Sequence, residues 1–325
     1  MGDKGLIEAQ DGTFRFVVEE TKKMGEVHIH IGQVDGEPVE GAGAVCLVDA
    51  DRRNSIRANH TATHLLHQAL RDSLGDHVAQ AGSYVGPDRL RFDISHPSAM
   101  GEDQILAVET AVNDRVARNR PVAISVETPD EAKSRGAMAL FGEKYGDEVR
   151  VVSIDDDDGE ARPWSLELCG GTHVARTGDI GPFVIVGERA VAAGVRRIEA
   201  LTQAGAVQAF QEQRRLLKDL SAKLKTSPEE LGGRIDQLQK QVKEAKKQKK
   251  SASGDQVTAA FQLAKTELEA RAGVVAGALD FPELDRDAIR QLGERLKGAE
   301  ANLAIVLFGR GGPGAQDSSV PLAAL

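Results

Sequence analysis

Cysteine is scarce in this 325-residue chain: there are two, Cys46 and Cys169, far apart in sequence. Two distant cysteines exclude a disulfide framework and point to thiols held in a reducing, cytosolic compartment. No apolar run approaches the roughly 18 residues that a membrane helix needs, and the polar start MGDKGLIEAQDG has no signal-peptide core. Positive charge is also in deficit, with 41 Lys and Arg against 50 Asp and Glu, a formal net charge of −9. A field of that sign opposes nonspecific nucleic-acid binding, so an RNA partner would have to meet a local basic surface. What the chain does have is 41% hydrophobic residues, enough for two or three domains with real cores. Cys46 itself reads as a small buried apolar residue.

The hydrophobic pattern predicts an α+β protein. FRFVVEE and VHIHIGQV alternate around the turn-prone KKMGE, which predicts a β-hairpin or a partial barrel at the N-terminus. His28 and His30 share a face there, and a half-exposed strand explains them better than a metal site. A helix is predicted over 58–74, a strand, turn and strand over 80–94, and a helix over 101–118 with its apolar stripe in the core. VAISVET, VRVVSI and FVIVGERA read as strands, and the acidic DDDDGE lacks calcium-loop spacing and reads as a solvated turn. From Ala206 onward the spacing turns helical and polar, with Phe210, Leu217, Leu220 and Leu224 on one stripe. Leu231, Ile235, Leu238, Val242 and Ala245 form a second stripe of coiled-coil spacing, so two helices of a hairpin are expected. The lysines of KEAKKQKK read as a solvated helix end before RNA contacts. Ser251–Gly254 reads as a linker, followed by a helix over 256–272 and an incomplete small α/β domain. The tail, with its GRGGPG, reads as a flexible turn adding no further strand; it lacks the Lys-Ser/Thr of a phosphate loop.

Chemistry enters with ANHTATHLLHQAL. His60, His64 and His67 fall on one helical stripe, and imidazoles at i and i+4 can reach one ion. Downstream, SLELCGGTHV places Cys169 and His173 four apart around a Gly-Gly turn. The two pairs together supply three imidazoles and one thiolate, a donor set that tetrahedral zinc accepts. A zincin protease would need Glu after the first histidine, where Thr61 stands. A Cys169–His173 nucleophile needs no metal but leaves His60 and His64 unexplained. Catalytic and purely structural zinc stay open on spacing alone, because four protein donors normally close the sphere. His67 would be a fifth ligand and is read as a neighbour of the site or a solvated residue.

In order and spacing, Asn59 with His60-Thr61-Ala62-Thr63-His64, Gln80-Ala81-Gly82-Ser83, Leu90-Arg91-Phe92-Asp93, Leu168-Cys169-Gly170-Gly171-Thr172-His173-Val174 and Gly194-Val195-Arg196-Arg197-Ile198-Glu199-Ala200 resemble the editing domain of bacterial alanyl-tRNA synthetase. The later helices and VVAGALDF resemble that enzyme's C-terminal module. The resemblance implies hydrolysis of the ester of tRNA(Ala) mischarged with serine or glycine. It implies zinc on His60, His64, Cys169 and His173, with Thr63 and Gln80 lining the pocket. Arg196 and Arg197 would meet phosphate or hold the sheet, with equal claim. It divides the chain into a partial β-barrel (1–50), a two-layer editing domain (51–204), a helical hairpin (205–250) and a truncated C-terminal domain (251–325), with self-association possible through the last two. No class II ATP-binding motif is visible, so the chain reads as a fragment of the synthetase that does not charge tRNA alone. A free-standing trans-editing protein, and a tRNA- or partner-binding module with structural zinc, are the alternatives.

Overall fold

The computed structural model describes residues 1–25, 27–138, 146–154, 163–271, 274–300, 302–309 and 322–324. The acidic DDDDGE turn and all of GRGGPG after its first glycine lie outside them. The fold is mixed, as the α+β pattern predicts, and the chain divides into two compact units, Met1–Arg215 and Leu216–Leu325.

The first unit opens with β1 (Gly5–Ala9), β2 (Phe14–Met24), β3 (Val27–Gly36) and β4 (Ala44–Val48), an antiparallel sheet in the order β3-β2-β1-β4. The predicted hairpin is β2–β3, with β1 and β4 added; the sheet stays open among the described residues. β4 is exposed along its whole length at the sheet edge, so Cys46 is exposed and the buried reading of it is corrected.

Helix α1 spans Ala50–Leu74 and starts two turns before the apolar periodicity does. Asp49 supplies the reason: its carboxylate accepts the Arg52 backbone N–H at 3.0 Å, satisfying an orphan donor of the first turn. β5 (Gln80–Val85) and β6 (Leu90–Ser95) follow as the predicted hairpin, then α2 (Glu102–Ala117). β7 (Val122–Glu127), the short helix α3 (Pro129–Ser134), β8 (Val149–Ile154) and β9 (Ser165–Leu168) come next, the three strands pairing antiparallel in that order. β10 (Phe183–Ala192) and β11 (Val195–Thr202) complete a second antiparallel sheet, ordered β10-β11-β6-β5.

The apolar side of α1, with Ala62, Leu65, Leu66, Ala69 and Leu70 buried, packs with α2 and with Phe92, Ile94, Phe183 and Ile198 of the second sheet in one core. Side chains of this size each stabilise by about 1.5–3 kcal/mol on full burial, so the core fixes the helix rigidly over the sheet. The opposite side of α1 is thereby aimed at β9 and the loop that follows it.

α4 (Gln203–Leu224) runs across the boundary between the units, and α5 spans Leu231–Glu267 without interruption. The linker expected at Ser251–Gly254 is therefore corrected: the segment lies inside α5. It contains no proline, and extending an existing helix through four residues is easy compared with nucleating a new one. The expected seam is not closed, since Leu217, Leu220, Ile235 and Val242 are all exposed. After α5 come β12 (Glu269–Arg271), β13 (Val274–Phe281), α6 (Arg286–Ala299), β14 (Leu303–Gly309) and β15 (Leu322–Ala324). The helix expected to reach Ala272 thus gives way to β12. β13 and β14 are parallel around the α6 crossover, with β12 and β15 at the edges. β15 corrects the expectation that the tail adds no strand. Phe281, Leu284, Ile289, Leu292, Leu296 and Leu307 bury against Val257, Ala260 and Ala264 of α5, giving this unit a core of its own.

Candidate metal centre

His60 and His64 stand one turn apart on α1, and Cys169 follows β9 directly. Gly170 and Gly171 turn the chain so that His173 faces back toward the thiol. Each of these four residues offers one donor atom, and the four atoms lie within 4.8 Å of one another. The ring centroids are 5.2 Å apart for His60–His64, 4.4 Å for His60–His173 and 5.0 Å for His64–His173, and His60 Nε2 is 3.3 Å from Cys169 Sγ.

The loop is shaped for this approach. A Cβ on Gly171 would stand 2.1 Å from His60 Cε1, so only glycine fits there. The Arg150 guanidinium donates to the carbonyls of Cys169 and Gly171, and the Cys169 N–H returns to Arg150 O at 3.0 Å.

The outward ring nitrogens set the tautomers. His60 Nδ1 is 3.2 Å from Thr172 O, which can only accept, so Nδ1 carries the proton. Thr61 uses its hydroxyl hydrogen on Arg57 O at 2.9 Å, so His173 Nδ1, 3.3 Å from Thr61 Oγ1, is the donor there too. His64 Nδ1 lies 2.7 Å from Glu167 Oε2. In all three rings Nδ1 faces a partner and Nε2 is left for the centre. Nε2 of His64 and of His173 are buried and make no hydrogen bond among the described residues. Buried polar atoms without a partner are costly, and two of them converging with a thiol are a donor set that fits a metal ion.

Electrostatics favour the ligating state of the sulfur. Burial pushes the Cys169 thiol up, but the imidazoles of His173, His60 and His64 around it prevail and hold it at about 3. Burial pushes His173 down to about 4. His64 is raised, with the Glu167 carboxylate outweighing burial, and Glu167 is lowered by the same pairing.

His67 lies outside the four-donor group. It is buried, its Nδ1 is 3.0 Å from Glu167 Oε1 and its ring meets Phe92 edge-on. Thr63 is buried and donates to Asn59 O at 2.9 Å. Gln80 Nε2 donates to Ser83 Oγ at 3.3 Å. Arg196 Nη2 meets Glu188 at 2.6 Å, and Arg197 makes two 2.7 Å bonds to Asp93 across the β11–β6 pair. Of the two roles open to these arginines, their pairing fits holding the sheet.

A cavity of about 600 Å³ opens beside the donor group, lined by His60, Ser83, Gly171 and Thr172 and, from the N-terminal sheet, by Lys22, Lys23 and His28. His30 does not line it, but its Nδ1 is 3.2 Å from Oγ1 of Thr21, which does. Sequence reasoning missed Glu167, Thr61 and Arg150. Glu167 had one usable signal: two residues before Cys169 on a strand, it points to the same side.

Residues 149–199 match the threonyl and alanyl tRNA synthetase second additional domain. Over longer stretches the chain is 57% identical over 208 residues to the alanine–tRNA ligase of Paracoccus denitrificans, covering 62% of this chain and 23% of that protein. It is 46% identical over 284 residues to that of Granulibacter bethesdensis (83% and 32%) and 42% over 300 residues to that of Parvibaculum lavamentivorans (92% and 32%). The chain is homologous to alanine–tRNA ligases. It spans a quarter to a third of the length of these relatives. The family match ends in β11 and takes in Cys169, His173, Arg196 and Arg197; His60 and His64 reach the centre from outside it.

Proposed function

We propose that this chain hydrolyses the aminoacyl ester of tRNA(Ala) mischarged with serine or glycine, at a zinc ion held by His60, His64, Cys169 and His173. The observation that carries the reading is the convergence of two buried Nε2 atoms with no hydrogen-bond partner among the described residues, a third imidazole and a thiol, beside a cavity that Lys22 and Lys23 also line. Zinc is the metal whose preferred donors are this mixture of imidazole and thiolate, and when bound it supplies positive charge next to the ester.

The chain's own residues do the rest. Lys22 and Lys23 give a net-negative protein the local basic surface that an RNA end requires. Neither Thr63 nor Gln80 is among the residues that line the cavity; Thr63, its hydrogen committed to Asn59, has only an acceptor to offer, and Gln80, bonded to the lining residue Ser83, has Oε1 as a second. Acceptors of this kind pair with a serine hydroxyl and find nothing on alanine, which favours the seryl ester over the correctly charged tRNA; glycine, which has no hydroxyl, is not selected by them.

Four protein donors also suit a structural zinc in a tRNA-binding module. Assaying the chain on Ser-tRNA(Ala) and Gly-tRNA(Ala), with Ala-tRNA(Ala) as control, separates the two readings. Selective release of serine or glycine supports the deacylase. Equal or absent hydrolysis overturns it. A Gln80→Ala or Thr63→Val variant that stays folded and zinc-loaded but loses deacylation puts the chemistry in the pocket, whereas undiminished activity removes these two residues from it.

A further inference from the structure

Glu167 is a carboxylate at 6% exposure, with both oxygens engaged by histidines of one helix: Oε2 by His64 and Oε1 by His67. His64 and His67 are three apart on α1, so their rings sit side by side on one face. Glu167 comes from β9, two residues before Cys169, so the strand that carries the thiol also carries the group that grips α1. Among the described residues His67 Nε2 is buried without a partner, and the donation of its Nδ1 to Glu167 is the only hydrogen bond its ring makes.

We infer that Glu167 is a positioning residue for the metal centre and that His67 is its anchor. A carboxylate facing two ring nitrogens accepts from both, which fixes the proton of His64 on Nδ1 and leaves the Nε2 lone pair directed at the centre. His67 holds the second oxygen and so prevents Glu167 from rotating away. This gives the third histidine of the stripe a role without making it a ligand. The inference rests on the zinc reading above.

The carboxamide of Glu167→Gln keeps the shape but can accept on one side only and must donate on the other. One imidazole then has to move its proton to Nε2, and if that ring is His64 a donor atom of the centre is blocked. Zinc affinity of the full chain, measured by competition with a chromogenic chelator, should fall about 10- to 100-fold in Glu167→Ala, which removes both acceptors, and also in Glu167→Gln when its NH2 faces His64. The cobalt-substituted protein should lose its tetrahedral absorption in parallel. His67→Asn, whose Nδ2 can donate where Nδ1 did, should stay near wild type, while His67→Leu should weaken zinc. Melting of the metal-free proteins reports any purely structural cost.

Wild-type affinity and an unaltered cobalt spectrum in both Glu167→Gln and Glu167→Ala would overturn the inference and leave the zinc reading standing. A wild-type chain that binds no zinc would overturn the zinc reading itself, and this inference with it. Should Glu167→Gln fail to fold, the His67 pair decides: Leu weaker than Asn supports the anchor, and equal affinities refute it.

Discussion

Asn59 shows how the residues around the centre are fixed by polar bonds inside an apolar core. It is buried, Nδ2 donates to Gly86 O at 2.8 Å, and Oδ1 accepts from Thr202 at 2.8 Å, tying α1 to the β5–β6 turn and to the end of β11. Asn59→Ala would strand both partners, so it should cost about 2–3 kcal/mol of stability, read by chemical denaturation. A loss below about 0.5 kcal/mol would mean that those groups find new partners. Gly171→Ala tests the loop instead: its Cβ would drive His60 out of place, so metal affinity should fall well before the fold does. Undiminished zinc content in a folded Gly171→Ala protein would count against His60 as a donor. The four donors were legible because each pair is local, HxxxH on a helix and CxxxH on a turn, and local spacing survives into the fold. Glu167 was not, because its partners lie 103 and 100 residues away and nothing in a sequence pattern brackets a carboxylate with histidines so distant.

Elements were legible where periodicity decided them and illegible where a boundary depended on one side chain or on propagation. The core faces of α1, α2 and the β5–β6 hairpin follow from spacing, but the true start of α1 follows from Asp49 and the continuity of α5 from helix cooperativity. Gly254 sits within α5, and among the described residues no heavy atom outside the helix's own nearby backbone lies within 4 Å of where its Cβ would be. Gly254→Ala should therefore stabilise by about 0.5–1 kcal/mol, seen as a higher melting temperature and slower amide exchange in that stretch. A loss of stability would show that the segment leaves the helix in solution. In the second sheet, the Arg197 guanidinium beside Asp93 holds its carboxyl below the usual carboxylate range. A depressed carboxyl contributes stability that is complete above its unfolded value and is lost as pH falls through the folded one. The deficit of Arg197→Gln at neutral pH should thus persist down to about pH 5 and fade below the ordinary carboxylate value of 3.8. A deficit independent of pH down to 2 would assign the effect to packing rather than to the ion pair.

At the scale of the whole molecule, the decisive fact is that the donor group and the second hydrophobic core belong to different units. His60, His64, Cys169 and His173 all lie within Met1–Arg215, whereas the core of α5, α6, β13 and β14 lies within Leu216–Leu325. The elements of the second core follow from periodicity, the helix from 256 and the small α/β domain after it, whereas β15, three residues that pair with β14, has too short a pattern to read. A ligand that binds one folded unit stabilises that unit by mass action, by about 2.7 kcal/mol at a free concentration a hundredfold above its dissociation constant. For a unit of this size that is a shift of about 5–10 °C in melting temperature. The chain provides its own reporter, since the single tryptophan, Trp164, lies in the first unit, donating to Asp72 at 3.0 Å under the Arg115 guanidinium. Its fluorescence follows the metal-bearing unit, while circular dichroism at 222 nm also senses the 37-residue α5 of the second. Chelation should therefore lower the fluorescence transition by several degrees and leave a second, dichroism-detected transition in place, with zinc restoring the first. A fluorescence midpoint indifferent to chelator would show that the ion is not what holds the first unit's four donors together, whereas coincident transitions that move together would show that the two units unfold as one.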